Sequence, residues 1–294
     1  MGRCRRRELL HNTKPILSVV SLVSFVVDQR STHMSVLDNP AWSALTTHQA
    51  HLATGGSLAR RYPDDVAPIA AIGRREDAAL EELVDLIPEG GWISLPATLE
   101  GITAMLPPQL AITLEKRLVQ MVCETEVDLH SPRRSTPDRG RLARPRSTAA
   151  AGAIRTRGVD LCVLGEADIP EMLALTKLTR PGPFQSQTYT LGLYLGIRVD
   201  GRLAAMGGQR MHAPGYREIS AICTHPDFQG RGYARTVVAR LVTETFDRGL
   251  IPFLHVEETN ERAQALYRDL GFVERTRLPL LVVKRERDGA GGTV

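Results

Sequence analysis

The chain has 294 residues, of which 43% are hydrophobic and 24% charged, proportions that are typical of soluble globular proteins and exclude a disordered, collagen-like or coiled-coil chain. A length of this size predicts two domains, because a domain averages about 150 residues. The four cysteines include no CxxC pair, which argues against a disulfide scaffold or a four-cysteine zinc site, while the net charge of +4 raises the question of a nucleic-acid binder.

The positive charge lies in two segments whose composition is not that of a folded domain. Residues 1–33 carry a net charge of +4 and residues 131–158 carry +7, whereas residues 34–130 carry −8 and residues 159–294 carry +1. No aromatic residue lies among the arginines of 131–158, so stacking with nucleic-acid bases has no platform. We therefore expect basic, solvated appendages on a folded protein, and no nucleic-acid partner.

The leader, residues 1–33, has a basic start and an apolar run from Ile16 to Val27. This run is too short to span a bilayer, which needs about 20 residues, although it fits the apolar part of a secretory signal. No small-x-small cleavage site follows, and Met34 opens a segment that reads as an ordinary soluble domain. We expect an over-long translated start or a dispensable extension, no membrane partner, and a cytoplasmic protein.

Residues 34–130 are predicted to form a smaller N-terminal accessory domain of α/β type. Helical spacing favours helices at Trp42–Ala53 and Ala78–Leu86, and short strands are expected at Trp92–Leu95 and Leu118–Cys123. The segment contains no catalytic constellation.

Two histidines in this segment, His48 and His51, have a spacing that metal ligands on a helix can use. Ligation needs at least three groups, and no acidic or cysteine partner stands at ligand spacing nearby. We therefore expect no metal site.

Residues 131–158 contain three prolines, repeated arginines and small residues, the composition of a linker. A compact domain is predicted at 159–287, with a tail at 288–294. Its order of strand, helix, three strands, helix, strand, helix and strand predicts an α+β fold with a mixed central sheet. The predicted strands are Leu161–Leu164, Leu193–Val199, Arg202–Met211, Arg217–Thr224, Ile251–Val256 and Leu278–Lys284. The predicted helices are Ile169–Leu178, Gly232–Phe246 and Asn260–Leu270, and a turn is predicted at Asp200–Gly201.

The segment from Ile222 to Ala234 joins a predicted strand to a predicted helix and has the features of an anion-binding turn. Gly230 and Gly232 let backbone approach a ligand closely, and free N–H groups at the helix start would point at an anion. The helix dipole adds about half a positive charge there, and Arg231 and Arg235 would supply more. A diphosphate is the expected guest, and a plain strand-to-helix turn is the alternative.

Gln229, Gly232 and Ala234 resemble the Q/R-x-x-G-x-G/A motif of the GNAT acyltransferase superfamily, in its usual place between the fourth strand and the third helix. Asn260 and Tyr267, followed by Leu-Gly-Phe at 270–272, resemble that superfamily's later N…A…LY…GF motif.

The sequences of residues 218–226 and 252–256 most resemble those of the branch that includes glycine N-acyltransferase-like proteins. The resemblance covers about residues 159–287. It implies the GNAT fold, in which two parallel strands of a mixed sheet splay apart; here these would be 217–224 and 251–257. Residues 34–130 contain no match to the first motif, so that segment is interpreted as an accessory domain or a degenerate copy of the fold.

The resemblance implies that acetyl-CoA is the co-substrate and lies in the gap between the two splayed strands. The pantetheine arm would bind backbone groups of Ile222, Cys223 and Thr224, and Asn260 would contact the cofactor arm. The diphosphate would lie on the backbone of Gln229, Gly230, Arg231, Gly232, Tyr233, Ala234 and Arg235. No metal is implied.

Catalysis needs an acid and a base. The resemblance gives Tyr267 the role of general acid toward the leaving thiolate, with a core tyrosine as the alternative. Glu218 stands at the spacing at which histone-type members keep a catalytic glutamate, and His255 occupies the strand position at which ribosomal-protein acetyltransferases carry their base. Either would act directly or through a water; a strand-edge charge and a core histidine are the respective alternatives. Cys223 has no adjacent base in the sequence, which argues against a covalent acyl-enzyme.

Substrate selection is expected to fall on the loop at Leu178–Thr188, which Pro181 and Pro183 stiffen. Arg180 would hold an acceptor carboxylate, or is a solvated loop arginine. The predicted function is transfer of an acetyl group from acetyl-CoA to a primary amine by direct attack in a ternary complex. The acceptor would be an amino acid, a peptide N-terminus or a small amine. A catalytically silent acyl-CoA-binding or sensing module is the alternative, and the oligomeric state stays unknown.

Overall fold

The computed structural model describes residues 36–96, 101–125, 154–156 and 159–287. We refer to residues 36–125 as the N-terminal region and to residues 154–287 as the C-terminal region. The predictions for the leader at 1–33, for most of the linker and for the tail lie outside the described residues.

The N-terminal region contains short elements around one long strand. In chain order they are α1 (Pro40–Thr46), β1 (Thr54–Gly55), β2 (Ala59–Arg61), β3 (Ala70–Ile72), α2 (Asp77–Leu86), β4 (Trp92–Pro96) and β5 (Leu110–Val122). Asn39 starts α1, because its side-chain oxygen accepts a hydrogen bond from the Trp42 amide and Pro40 follows in the first turn, where its missing N–H costs nothing. The predicted helix at Trp42–Ala53 is wrong beyond Thr46, since Thr47 leaves the helical conformation and only a 3-10 turn follows.

The C-terminal region contains the longer and more regular elements. They are β6 (Ile154–Thr156), β7 (Val159–Val163), α3 (Ile169–Thr179), β8 (Tyr194–Val199), β9 (Arg202–Ala213), β10 (Tyr216–Thr224), α4 (Tyr233–Phe246), β11 (Ile251–Glu257), α5 (Glu261–Asp269) and β12 (Val273–Arg285). Each predicted strand and helix of this region is confirmed, as is the turn at Asp200–Gly201, where both residues have positive φ. Two details differ. Strand β12 begins earlier than predicted, and β6, which pairs with β7, lies inside the segment predicted as a linker. No helix in the described part of the chain is long and apolar enough to cross a membrane.

One nine-stranded sheet joins the two regions. Its order is β4-β12-β5-β11-β10-β9-β8-β7-β6, and β1, β2 and β3 form a separate three-stranded sheet. Strand β5 of the N-terminal region lies between β11 and β12 of the C-terminal region and pairs antiparallel with both. Without β5, the facing edges of β11 and β12 would have no backbone partners in the sheet.

The same strand supplies part of the main core. Val119, Met121 and Cys123 are at most 1% exposed and pack with residues of α4 such as Val238 and Leu241. Burying side chains of this size stabilises a fold by about 1.5–3 kcal/mol each. The segment predicted as an accessory domain therefore shares a sheet and a core with the motif-bearing region, because its strand residues alternate toward that core. That this segment is a degenerate copy of the fold stays a prediction.

The parallel strands β10 and β11 pair only at their first three residues, Tyr216 to Glu218 with Ile251 to Phe253. Beyond this point the strands separate. An irregularity in the pairing of β10 with β9 lies between Ser220 and Cys223, where Ala221 has a φ of 55°. A bulge of this kind bends a strand and increases its twist. The prediction of a mixed sheet with splayed parallel strands is confirmed.

Candidate active site

A cavity of about 1240 Å³ opens where β10 and β11 separate. Its walls come from the second half of each strand, from the start of α4 and from one side of α5. The structure brings the predicted site residues to this cavity with the exception of Glu218. The predicted residues that line it are Ile222, Cys223, Thr224, Gln229, Gly230, Arg231, Gly232, Tyr233, Ala234, Arg235, His255, Asn260 and Tyr267.

The turn before α4 lines the cavity with residues 229–235. Gly230 and Gly232 have φ of 77° and 81°, a conformation that side-chain-bearing residues rarely adopt. A Cβ at either position would meet nothing within 4 Å. Glycine is therefore required here by the backbone conformation and not by crowding within the protein. Gly232 is the N-cap of α4 and provides no side-chain cap, so the first amides of the helix keep their hydrogen-bonding capacity.

Two arginines add positive charge beside this turn. The Arg231 guanidinium lies 5.2 Å from the centroid of the Phe228 ring, and Arg235 lies 3.8 Å from the Asp269 carboxylate. Both side chains line the cavity at the helix start. Together with the helix dipole they make this end of the cavity suited to an anion.

The edge of β10 that faces β11 is unpaired along the cavity. Cys223 and Thr224 pair with β9 on the other side, at Met206 and Ala205. The Thr224 hydroxyl is buried and has no hydrogen-bond partner among the described residues. An extended ligand arm can hydrogen-bond to this edge in the way that a neighbouring strand would.

Tyr267 lies on α5 and faces the same cavity. Asn260 begins this helix, and its side-chain oxygen accepts a hydrogen bond from the Ala263 amide at 3.1 Å. Burial, followed by the nearby Cys223 thiol, raises the pKa of Tyr267 to about 12. The phenol therefore keeps its proton at neutral pH and can donate it.

Cys223 is a poor nucleophile in this environment. Burial raises the pKa of its thiol to about 11, and hydrogen bonds with Thr179 and Met206 offset this only in part. Because the thiolate is the reactive form, a buried neutral thiol argues against a covalent acyl-enzyme.

Glu218 lies behind the cavity wall in a buried ion pair. Its carboxylate accepts two hydrogen bonds from Arg210, at 2.8 Å each, and its Oε1 lies 2.9 Å from Nδ1 of His255. Burial raises the pKa of this carboxyl, but the charge and hydrogen bonds of Arg210, together with His255, lower it by more, and the net pKa lies well below the ordinary range. A carboxylate held in this way is a weak proton acceptor.

Of the two candidate bases, His255 is the one that lines the cavity. Its Nε2 lies 3.1 Å from Nε2 of Gln120, which also donates to the Leu37 carbonyl, while the Gln120 side-chain oxygen accepts from Arg275. The Gln120 nitrogen is therefore a donor, so His255 accepts at Nε2 and donates its Nδ1 proton to Glu218.

Sequence reasoning missed Gln120 and Arg210. Gln120 reaches His255 only because β5 pairs with β11, a contact between residues 135 positions apart. Arg210 was assigned only to a strand. A buried glutamate implies a cationic partner, and this was the one signal that pointed to an arginine on the neighbouring strand.

Another part of the cavity wall is formed by residues outside the motifs. Ile69, Pro96 and Leu118 of the N-terminal region line the cavity, and Leu280 of β12 lies beside them in the sheet. The predicted selection loop also lines the cavity, through Arg180, Pro181, Gly182 and Pro183.

The two histidines considered for metal binding do not form a cluster. His48 stacks on His212, with ring centroids 4.1 Å apart, and His51 lies in the 3-10 turn that follows α1. In the part of the chain that the structure describes, no group of three or more His, Cys, Asp or Glu side chains could hold a metal ion.

Comparison with known proteins places the chain among acetyltransferases. The family model described as FR47-like protein matches residues 194–278. The crystal structure of a putative acetyltransferase from the GNAT family of Novosphingobium aromaticivorans is 31% identical, with a TM-score of 0.66 over 85% of this chain and 98% of its own. A match of that extent reaches beyond residues 159–287 into the N-terminal region.

Two relatives by sequence are named as N-acetyltransferases. The ribosomal protein bS18-alanine N-acetyltransferase of Salmonella typhimurium is 29% identical over 122 residues, which are 40% of this chain and 82% of that protein. The N-alpha-acetyltransferase RimI of Mycobacterium tuberculosis is 37% identical over 82 residues, which are 27% of this chain and 51% of that protein.

Proposed function

This chain belongs to the GNAT family, and we propose that it transfers an acetyl group from acetyl-CoA to a primary amine by direct attack in a ternary complex. One observation carries the proposal: a single cavity contains the unpaired edge of β10, the uncapped start of α4 and the protonated Tyr267. An extended thioester with a diphosphate at one end matches that arrangement. Two relatives named as N-acetyltransferases support the reaction class.

Acetyl-CoA would lie with its diphosphate on the amides of 229–235 and its pantetheine arm along Ile222 to Thr224. Arg231 and Arg235 would lie beside the phosphates, where their charge strengthens binding. The helix start holds the anion, while the free strand edge orients the arm. The thioester is thereby directed toward Tyr267 and the opposite end of the cavity.

The amine nitrogen attacks the thioester carbonyl carbon, and the tetrahedral intermediate collapses with cleavage of the carbon–sulfur bond. Tyr267 donates its proton to the departing CoA thiolate. The amine must first lose a proton, since an ammonium has no free electron pair for the attack. Direct attack is favoured over an acyl-enzyme because Cys223 stays protonated.

We assign the proton acceptor to His255, with Glu218 as the residue that orients it. His255 lines the cavity, whereas Glu218 is 1% exposed and held by Arg210. The carboxylate at Nδ1 would stabilise the imidazolium that forms. Protonation at Nε2 also requires the Gln120 amide group to turn away, since it donates a hydrogen bond there in this structure.

Membership in the glycine N-acyltransferase-like branch stays a prediction that rests on the phrases at 218–226 and 252–256. The cytoplasmic location is likewise inferred only from the missing cleavage site after Val27.

The proposal predicts that acetyl-CoA stabilises the protein against heat and that a primary amine then releases CoA. A ligand at 100 times its Kd adds about 2.7 kcal/mol to the free energy of unfolding. Differential scanning fluorimetry with acetyl-CoA, and with pantetheine as the ligand that lacks the diphosphate, measures the first step. A thiol assay with a panel of amines measures the second.

Gly232→Ala and Gly201→Ala form a matched pair for this test. The two glycines have φ of 81° and 78° with open space around them, so alanine strains both positions alike, but only Gly232 lines the cavity. Gly232→Ala should reduce the stabilisation by acetyl-CoA, and Gly201→Ala should leave it unchanged. Absence of stabilisation in the unmodified protein would contradict the proposal, and stabilisation without CoA release would identify a silent binding module.

A further inference from the structure

The end of the cavity away from α4 has an aliphatic wall that the two regions build together. Ile69, Pro96 and Leu118 come from the N-terminal region, Leu280 comes from β12, and Met211 comes from β9. Leu118 and Leu280 lie on the adjacent strands β5 and β12, so their side chains are neighbours on one face of the sheet. An aliphatic side chain of a second substrate would bury apolar surface against this wall.

Arg180 is a cation that lines the same cavity. Its guanidinium is exposed and has neither an ion pair nor a hydrogen bond to another described residue, whereas Arg210 is paired with Glu218 and Arg235 with Asp269. Its backbone is constrained, because the Arg180 amide caps α3 through the Thr176 carbonyl at 2.8 Å and Pro181 follows. An arginine held at a cavity rim without a carboxylate partner suits a carboxylate ligand.

Each carboxylate along the cavity has a cationic partner. Among the described lining residues they are Glu257, which pairs with Lys116, and Asp269, which pairs with Arg235. No free acidic group is therefore present to bind the second ammonium of a polyamine or the extra charges of a basic peptide. The Arg180 charge, which has no ionic partner among the described residues, is positive, so a zwitterion fits the cavity better than a polycation does.

The cavity is also large enough for two substrates. Its volume of about 1240 Å³ exceeds the range of about 300–1,000 Å³ that is usual for a single small-molecule site. With the cofactor along β10 and the start of α4, the aliphatic end stays available to the acceptor.

We propose that the acceptor is an α-amino acid with an aliphatic side chain, whose carboxylate binds Arg180 and whose side chain packs on the wall of Ile69, Pro96, Leu118 and Leu280. The inference rests on the proposed acetyl transfer, and it assigns to the N-terminal region the choice of acceptor. The amino group of the acceptor would point toward the thioester, between His255 and Tyr267.

The first test measures binding without turnover. Isothermal titration calorimetry of the full chain saturated with CoA is performed with leucine, leucinamide, glycine and lysine as probes. We expect leucine to bind more tightly than leucinamide by about 10-fold or more, the range for a hydrogen bond to a charged group. Glycine should bind about 10-fold more weakly than leucine, because it lacks the side chain that packs against the aliphatic wall.

Variants locate the two contacts. Arg180→Gln should remove the preference for leucine over leucinamide, and Arg180→Lys, which keeps the charge at the same backbone position, should retain part of it. Leu118→Ala should reduce the preference for leucine over glycine. Leu114→Ala is the matched control, since Leu114 lies on the same strand, is exposed and lies outside the cavity.

Equal affinities for leucine and leucinamide, or tighter binding of lysine than leucine, would overturn the inference. An unchanged preference in Arg180→Gln would do the same. Because calorimetry needs no turnover, leucine binding without CoA release would support the acceptor site while contradicting the proposed transfer. CoA release with peptides but not with leucine would support the transfer while contradicting the amino-acid acceptor.

Discussion

The two regions of this molecule contribute to one site in different ways. The C-terminal region contains the turn at 229–235, the free edge of β10 and Tyr267, to which we assign the chemistry in our proposal. The N-terminal region has no motif, but it inserts β5 into the main sheet and lines part of the same cavity. A region without recognisable motifs can therefore complete a fold and form part of its cavity wall.

The difference between the regions lies in how far apart their contacts are along the chain. The turn before α4 is built from residues within one short segment. The N-terminal contributions are long-range: Gln120 meets His255, and Met121 enters the core beside α4. The local turn and the long-range contacts can therefore be tested by substitutions in different regions.

The largest expected effect is on the chemistry of the C-terminal region. Tyr267→Phe should lower kcat by about 10²- to 10⁴-fold, the usual contribution of a general acid, while the free energy of unfolding changes little. Stopped-flow or steady-state CoA release measures the rate, with chemistry shown to limit turnover. Tyr189→Phe, outside the cavity, is the control. Turnover within twofold of the unmodified protein would make Tyr267 a core residue.

The next effect concerns the stability that the N-terminal region supplies. Met121→Ala should lower the free energy of unfolding by about 2–5 kcal/mol, because the side chain is 1% exposed in the shared core. Leu114→Ala on the same strand is 44% exposed and should cost less than about 0.5 kcal/mol. Urea unfolding followed by circular dichroism measures both variants. Two separate transitions, with only one shifted by Met121→Ala, would mean that the regions fold independently.

The smallest effect concerns the contact between His48 and His212, which joins the regions. Burial, followed by the charges of Arg217 and the nearby His48, lowers the pKa of His212 to about 4 from its ordinary value of 6.5. The unfolded chain therefore takes up this proton as the pH falls through about 6.5, and the folded chain only near pH 4. The stability that depends on keeping His212 neutral is therefore complete above pH 6.5 and is lost as the pH falls toward 4.

His212→Gln should reduce the loss of stability between about pH 7 and pH 5. Urea unfolding at the two pH values measures the difference for each protein. If His212→Gln shows the same pH dependence as the unmodified protein, the histidine pair does not couple the regions to pH.

Much of the C-terminal region was predictable, because its signals are local. Asp200–Gly201 forms a turn through its own backbone preference, and Asn260 begins a helix that Gly271 ends. Gly230 and Gly232 were expected for close approach of a ligand, and the structure adds a conformational reason, their positive φ. Glu218 and His255 were expected as rival bases, but they lie in hydrogen-bonding contact as one cluster.

The sequence by itself determined the order of the elements from 159 to 287, the glycine-containing turn at 229–235 and the family to which those motifs point, since each depends on residues close together in the chain. Only the tertiary structure decided that β5 lies between β11 and β12, that Arg210 holds Glu218, and that Ile69 and Leu118 share a cavity with Arg180. Strand order and buried ion pairs depend on which residues far apart in the chain bury their surfaces against each other. The pattern of residues along the chain does not show which of them do so.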